Sequence, residues 1–191
     1  MDLLKERGVL RPRDLVEIGV HPRNLSNLYQ QGVLARMGRG LYTLVDGPWT
    51  EHHSFAEAAK RVPGCVIGLA SALRFHELTG EMPHNIWVFI SRKAWKPKVD
   101  YPVLHIFRCE PDRLLDDTLQ PLIEGTEVRI TNVARTITDC FRHRRAIGLD
   151  VAILALREAI QRSLCTPAEL ALVAKKHRAW NIMRPYLEAL L

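Results

Sequence analysis

Five polar residues between positions 23 and 31 have the side-chain types that contact DNA bases. They carry one guanidinium and four carboxamides, and no acid interrupts the stretch HPRNLSNLYQQG at residues 21–32. Arginine pairs with the edge of guanine, and asparagine or glutamine pairs with adenine. A helical wheel at about 100° per residue places the polar side chains opposite Leu25, Leu28 and Tyr29. The pattern predicts a helix face that reads base edges, and an ordinary polar surface is the alternative. The predicted contacts are Arg23, Asn24, Asn27, Gln30 and Gln31.

A glycine-flanked arginine follows in the stretch VLARMGRGLYTL at residues 33–44. Apolar residues alternate on both sides of Gly38-Arg39-Gly40, and two glycines favour a tight hairpin because both can adopt positive φ. Arg39 at the tip, with Arg36 nearby, would contact phosphate or enter a narrow minor groove. A turn without a binding role is the alternative.

Two later clusters of cations could form a second basic surface. RKAWKPK at residues 92–98 combines cations with one tryptophan, and FRHRRA begins at Phe141. If the fold brings them together, they would contact flanking DNA backbone or an acidic or RNA-bearing partner, whereas a solvated loop is the alternative for the first cluster. The residues concerned are Arg92, Lys93, Lys96, Lys98, Arg142, Arg144 and Arg145.

Other residues of catalytic type have structural explanations. Arg135 and Asp139 have the i,i+4 spacing of an intrahelical ion pair. His76 follows Phe75 in a helix that must pack on a sheet, so we expect a hydrogen-bonded, partly buried imidazole. His52-His53 lacks further ligands at metal-binding spacing. No G-x-x-x-x-G-K loop is present to hold phosphates.

The alternative to a non-catalytic DNA-binding protein is an enzyme, specifically a nuclease. Such a site needs an acid followed by an acid-x-Lys stretch on a strand. Asp116 or Asp117 with Glu127-Val128-Arg129 comes nearest, but the lysine is missing. We therefore expect no catalytic residues, no metal and no cofactor, and we keep a nucleic-acid-processing enzyme, targeted by its DNA-binding domain, as the second hypothesis.

Composition is that of an ordinary globular protein. The chain has 191 residues, 47% of them hydrophobic and 25% charged, and a net charge of +6 that is compatible with a nucleic-acid partner. No apolar run approaches the roughly 18 residues of a membrane span, and the N-terminus lacks the apolar segment of a signal peptide. The four cysteines are scattered without C-x-x-C spacing. We expect a cytoplasmic, nucleoid-associated protein with reduced cysteines and no membrane partner.

Proline and glycine residues mark the boundaries of short elements within the first 45 residues. A helical turn at Asp2–Arg7 ends at Gly8, and a second helix, with Leu15, Val16 and Ile18 on its apolar side, ends at Gly19. A third helix begins at Pro22 and ends at Gly32, before the hairpin. Three helices and a hairpin in this order predict a winged helix-turn-helix over residues 1–45.

The rest of the chain predicts a mixed domain. Residues 46–53 form a linker, and residues 54–191 form a second domain. A Ser54–Glu57 capping box would open its first helix, and Asn132 and Thr166–Glu169 would cap later ones. Strands are predicted in CVIGLA, IWVFIS, VLHIF and EVRIT, so residues 54–131 mix strands and helices and residues 132–191 are helical. The fold class is therefore α+β, with a helical tail.

The order of these motifs resembles that of AbiEi-type antitoxins. In the N-terminal part, the resemblance rests on GVLRPRDLVEIGV, Leu25, Leu28, Gly32, Leu34, Arg36, Gly38-Arg39-Gly40 and Tyr42. Further along, it rests on SALRFHEL, Arg135-Thr136-Asp139 and DVAILALREA, so it spans nearly the whole chain. The sequence departs from the family at His21-Pro22, where a small hydroxylated N-cap is expected.

The resemblance implies a function of two parts. Members of the family are antitoxins of type IV toxin–antitoxin pairs, which repress their own operon through the winged helix. They counter a nucleotidyltransferase-like toxin through the C-terminal domain. By this resemblance the partners are promoter DNA and the cognate toxin, with direct toxin contact left open. A winged helix of this size would bind weakly as one copy, so we expect two copies on an inverted repeat.

Overall fold

The structure is a computed structural model that describes residues 8–17, 19–38, 40–47, 49–81 and 83–190. The chain divides into two compact units. We call residues 1–63 with 121–128 the N-terminal unit, and residues 64–120 with 129–191 the C-terminal unit. The helix predicted at Asp2–Arg7 lies outside the described residues. The predicted winged helix and the predicted linker both fall within the N-terminal unit.

Two helices and a hairpin begin the N-terminal unit. Its elements are α1 (Pro12–Glu17), α2 (Pro22–Gln30), β1 (Leu34–Gly38) and β2 (Leu41–Leu44), as the pattern of glycines predicted. Gly19 and Gly32, with φ angles of +81° and +71°, follow the two helices. The small core consists of Leu10, Leu15, Leu34 and Leu44, against which Val20, Leu25, Leu28 and Val33 pack.

Two residues predicted on the apolar sides of these helices are exposed to solvent. Val16 and Tyr29 are each 51% exposed. Tyr29 stands about 100° from Leu28 on the helical wheel, at the edge of the apolar stripe of α2. The centre of that stripe packs on the small core, so the edge is left in solvent. Ile18, predicted beside Val16, lies outside the described residues.

A third helix and a second hairpin complete the N-terminal unit. They are α3 (His53–Arg61), β7 (Leu122–Ile123) and β8 (Thr126–Glu127), and β7 pairs antiparallel with β8. The Ser54–Glu57 capping box is wrong, because α3 begins at His53 and has no side-chain cap. Glu57 is instead buried and hydrogen-bonded to Arg61.

A mixed five-stranded sheet forms the centre of the C-terminal unit. Its strands are β3 (Val66–Ile67), β4 (Ile86–Ser91), β5 (Leu104–Cys109), β6 (Thr118–Leu119) and β9 (Ile130–Thr131), in the order β5-β4-β3-β9-β6. Strands β4 and β5 run parallel over six residue pairs, so their carboxyl ends, Ser91 and Cys109, are adjacent. The predicted strand EVRIT is wrong as one element, because β8 and β9 belong to different units.

Helices pack on this sheet and form the tail. They are α4 (Leu69–Phe75), α5 (Val133–Arg142), α6 (Arg144–Ile147), α7 (Leu149–Gln161), α8 (Pro167–Lys176) and α9 (Trp180–Glu188). Two predicted caps are confirmed. Asn132 Oδ1 accepts the Arg135 amide at 2.8 Å, and Thr166 and Glu169 form a complete capping box. The α+β fold class with a helical C-terminal part is therefore confirmed.

Candidate nucleic-acid interface

Helix α2 presents the predicted polar face to solvent. The ring of His21 caps the helix, with Nδ1 accepting the Arg23 amide at 3.3 Å. This imidazole takes the place of the small hydroxylated cap that the family pattern leads one to expect. Leu25 and Leu28 face the small core, and the opposite face is exposed. Its exposed side chains are Arg23, Asn24, Asn27, Gln30 and Gln31.

The hairpin after α2 has the geometry of a wing. Arg36 pairs with Tyr42 across the ladder, and the register shifts between Arg36 and Gly38. The Arg36 side chain is exposed, and its Nε donates to the Gly38 carbonyl at 3.3 Å. Gly38 and Gly40 both have positive φ, which confirms the predicted turn. Arg39, predicted at the tip, lies outside the described residues, so its DNA contact stays a prediction.

The wing is held by an arginine from helix α3. Arg61 Nη2 donates to the Met37 carbonyl of β1 at 2.9 Å, and its Nε and Nη2 donate to Glu57 Oε1 at 2.8 and 2.6 Å. A Cβ on Gly38 would stand only 3.0 Å from the guanidinium nitrogens of Arg61. A glycine at this position therefore serves close packing as well as the turn.

An ion pair links helix α1 to α3. Lys60 Nζ donates to Asp14 Oδ2 at 2.5 Å, and the same carboxylate oxygen accepts the Arg11 amide at 3.0 Å. Burial acts to raise the pKa of Asp14, but these hydrogen bonds and the Lys60 charge outweigh it, and the pKa is lowered. The helix that precedes α2 is thus fastened by a charged contact to α3.

A buried carboxylate joins the second hairpin to the start of α3. Glu124 Oε1 accepts the Thr50 amide at 2.7 Å and the Thr50 hydroxyl at 3.0 Å, and Oε2 lies 2.7 Å from His53 Nδ1. The Glu124 side chain is 1% exposed. In addition, the Gly8 amide donates to the Glu124 carbonyl at 2.9 Å.

The sequence did not predict these supporting contacts, and it predicted a capping role for Glu57 instead. The i,i+4 spacing of Glu57 and Arg61 could have suggested their ion pair. Glu124 could not have been found, because its partner Thr50 stands 74 residues away in the sequence.

The second group of predicted cations is only partly brought together. Arg92 and Arg142 line one cleft of the C-terminal unit, and Arg92 Nη1 pairs with Glu110 at 2.9 Å. Arg144 donates to the Phe141 carbonyl at 3.3 Å at the start of α6. The remaining residues are exposed and are not among those that line this cleft: Lys93, Lys96, Lys98 and Arg145.

The residues of catalytic type have the structural contacts that the spacing predicted. Arg135 Nε donates to Asp139 Oδ2 at 2.6 Å, and both side chains are 2% exposed. His76 Nε2 lies 2.7 Å from the Thr131 carbonyl, and burial lowers the pKa of this histidine. Within the described residues, no three His, Cys, Asp or Glu side chains are grouped so as to hold a metal ion. No helix in the described part of the chain has the length and apolarity of a membrane span.

Comparison with solved structures identifies a protein of similar fold. The Rv2827c protein of Mycobacterium tuberculosis has a similar fold, with a TM-score of 0.63, at 14% sequence identity. The match covers 95% of this chain and 72% of that chain. No curated protein sequence matches significantly.

The family match lies in the part of the chain that carries α1, α2 and the wing. Residues 1–45 match the model of a family described as a transcriptional regulator, AbiEi antitoxin. This match confirms the resemblance that the motifs of the winged helix indicated. Over this segment the chain is therefore similar to the AbiEi antitoxin family of transcriptional regulators.

Proposed function

We propose that the protein is a DNA-binding transcriptional repressor and antitoxin that binds its own promoter. The observation that carries the proposal is the exposed, acid-free face of α2. Its amides and guanidinium have the donors and acceptors that base edges complement. The side chains point outward because the opposite, partly buried apolar stripe packs on the small core. The family description of residues 1–45 supports regulation of transcription. Because the proposed ligand is promoter DNA, we expect the protein in the cytoplasm, associated with the nucleoid.

The wing supplies contacts that do not depend on sequence. Arg36 is exposed on β1, and Arg39 stands between two glycines. Guanidiniums in these positions would meet phosphates or a narrow minor groove beside the helix. The first 45 residues hold seven Lys and Arg against four Asp and Glu, which favours approach to DNA.

The remaining domain, predicted over residues 54–191, counters a nucleotidyltransferase-like toxin in this proposal. The family description supports the antitoxin role, and the sequence resemblance supports the class of toxin. We assign this activity to residues beyond the predicted linker 46–53. We expect it to need no catalytic residue, metal or cofactor of this chain.

Promoter binding and antitoxin activity can be tested with the full chain. We expect it to retard a fragment of its own promoter, to protect two inverted half-sites in a footprint, and to restore growth when the adjacent toxin gene is expressed. A single protected site at saturation would overturn the two-copy arrangement. Failure to distinguish the promoter from scrambled DNA would overturn the repressor role.

The competing hypothesis of a nucleic-acid-processing enzyme predicts a different outcome. The same chain, incubated with promoter DNA and Mg²⁺, would then shorten the fragment instead of only retarding it. We expect the DNA to stay intact over the time in which the shift forms.

A further inference from the structure

A second candidate site lies in the C-terminal unit at the carboxyl ends of β4 and β5. These parallel strands end side by side, so the residues that follow them lie at one edge of the sheet. A cleft of about 40 Å³ opens there. Five arginines line it, and we call it the arginine cleft: Arg92, Arg108, Arg113, Arg135 and Arg142.

The lining of the arginine cleft is strongly positive. Only two carboxylates, Glu110 and Asp139, stand among its described lining residues against five guanidiniums. Glu110 pairs with Arg92, and Asp139 pairs with the buried Arg135. The other three arginines face the cleft without a carboxylate partner in its lining, so an excess of positive charge remains. The pKa of His143, which also lines the cleft, is lowered to about 4 by burial and by neighbouring arginines.

Main-chain carbonyls hold several of these guanidiniums in place. Arg108 Nη1 donates to the carbonyls of Ser91, Arg92 and Ala94 at 3.4, 2.9 and 2.8 Å. Arg135 Nη1 likewise donates to two carbonyls, at 3.1 and 3.0 Å. A carbonyl satisfies an N–H group without cancelling the positive charge. The cleft is therefore a preorganised site for an anion.

A basic loop with an exposed tryptophan begins at the rim of the cleft. Trp95 is 96% exposed, and Lys93 and Lys96 beside it are exposed as well. Arg92 belongs both to this loop and to the cleft, and Arg108 fastens the loop through its carbonyls. An aromatic ring displayed among cations matches the sites on which unpaired bases stack beside a phosphate backbone.

We propose that the arginine cleft and the Trp95 loop together bind single-stranded nucleic acid. The cleft takes one phosphate group, since its volume suits a few water-sized atoms and is too small for a nucleotide. Trp95 stacks on a nearby base, which requires a strand whose base faces are free. This site is independent of the α2 face, and RNA and DNA share the chemistry that it recognises.

The test is a fluorescence anisotropy titration of the full chain with labelled 12-nucleotide RNA, the same sequence as single-stranded DNA, and its duplex. Trp95→Ala should weaken single-strand binding about 5- to 150-fold, because stacking contributes about 1–3 kcal/mol per base. Trp95→Phe should restore part of the loss. Arg113→Gln should weaken binding and flatten the salt dependence by roughly 0.7 per lost phosphate contact.

Matched controls separate this site from the winged helix. Arg157→Gln, on the exposed face of α7, and Asn27→Ala, on α2, should bind single strands as the wild type does. Inorganic phosphate should compete with the labelled strand. Tighter binding of RNA than DNA, or the reverse, would identify the natural strand. Wild-type affinity of both Trp95→Ala and Arg113→Gln for single strands would overturn the proposal.

Discussion

At the residue scale, the N-terminal unit depends on side chains outside the face that we propose to contact DNA. Arg61 joins the wing to helix α3 through one carbonyl, and Glu57 fixes the guanidinium from within the same helix. The Glu57 side chain is only 1% exposed, so water could not solvate its charge if Arg61 were lost. Arg61 therefore positions the wing.

Arg61→Met should destabilise the N-terminal unit by about 3–5 kcal/mol, because it leaves a buried carboxylate unpaired. It should also weaken binding to promoter and random duplex equally, since the wing loses its attachment at Met37. Urea unfolding and DNA titrations measure the two effects. Arg61→Lys is the matched variant. It should recover only part of the stability and part of the DNA affinity, because lysine lacks the planar guanidinium. Wild-type stability of Arg61→Met would refute the role of this contact.

The Asp139 carboxyl should make stability depend on pH. Burial raises its pKa to about 6, although the Arg135 charge acts in the opposite direction. In the unfolded chain the pKa is about 3.9, so between pH 4 and 6 the folded state binds more protons. Its stability therefore falls as pH rises through this range. Asp139→Asn should remove this contribution, so the wild type should lose stability relative to the variant from pH 4 to 6. The opposite trend in urea unfolding would show that Arg135 dominates.

At the element scale, local signals predicted the helices and hairpin well. Gly19, Gly32 and the Gly38–Gly40 pair interrupt the chain where it must turn, and a positive φ is a local property of a residue. The caps at Asn132 and Thr166 are equally local. Such features depend on residues at most four apart, so a single sequence contains them.

Long-range pairing accounts for the elements that were predicted wrongly. The stretch EVRIT has the composition of one strand, but its two ends pair with different partners, β7 and the sheet of β3. Ser54 and Glu57 have capping-box spacing, yet burial directs Glu57 to Arg61. In the candidate site, the helical periodicity of the sequence predicted the polar face of α2. It did not predict that α3 anchors the wing.

The β7–β8 hairpin should be a structural part of the N-terminal unit. Glu124→Ala removes the acceptor of three short contacts with Thr50 and His53. Each hydrogen bond to a charged group contributes about 1.5–3 kcal/mol, and Thr50, which is exposed, would regain part of this from water. We expect a lower melting temperature and faster amide exchange in residues 8–50. Glu127→Ala, in the same hairpin but exposed, is the control and should change neither. Equal behaviour of the two variants would contradict this role.

The arginines of the wing should add affinity without sequence preference. Each phosphate contact contributes about 0.9 to the slope of log K against log salt. Arg36→Ala and Arg39→Ala should each flatten the slope by roughly that amount and weaken promoter and scrambled duplexes alike. Growth rescue should survive, because we assign antitoxin activity beyond the linker. An unchanged salt slope would mean that the wing does not meet DNA, and loss of rescue alone would assign it to antitoxin activity.

At the scale of the whole molecule, we propose two different kinds of anion-binding site, one in each unit. The N-terminal unit presents carboxamides and one guanidinium on a helix, which suits discrimination among bases. The C-terminal unit presents arginines around a cleft and a tryptophan on a loop, which suits a phosphate and an unpaired base. The family match covers only the first of these, at residues 1–45.

The most direct test of promoter recognition is the affinity of Arg23→Ala and Asn27→Ala for the promoter and for a scrambled duplex at one salt concentration. Each variant should lose about 1–3 kcal/mol on the promoter and almost nothing on the scrambled duplex. Arg157→Ala and Asn181→Ala, exposed residues of the same types on α7 and α9, should match the wild type on both. Equal losses on promoter and scrambled DNA, or no loss on either, would contradict base recognition by α2.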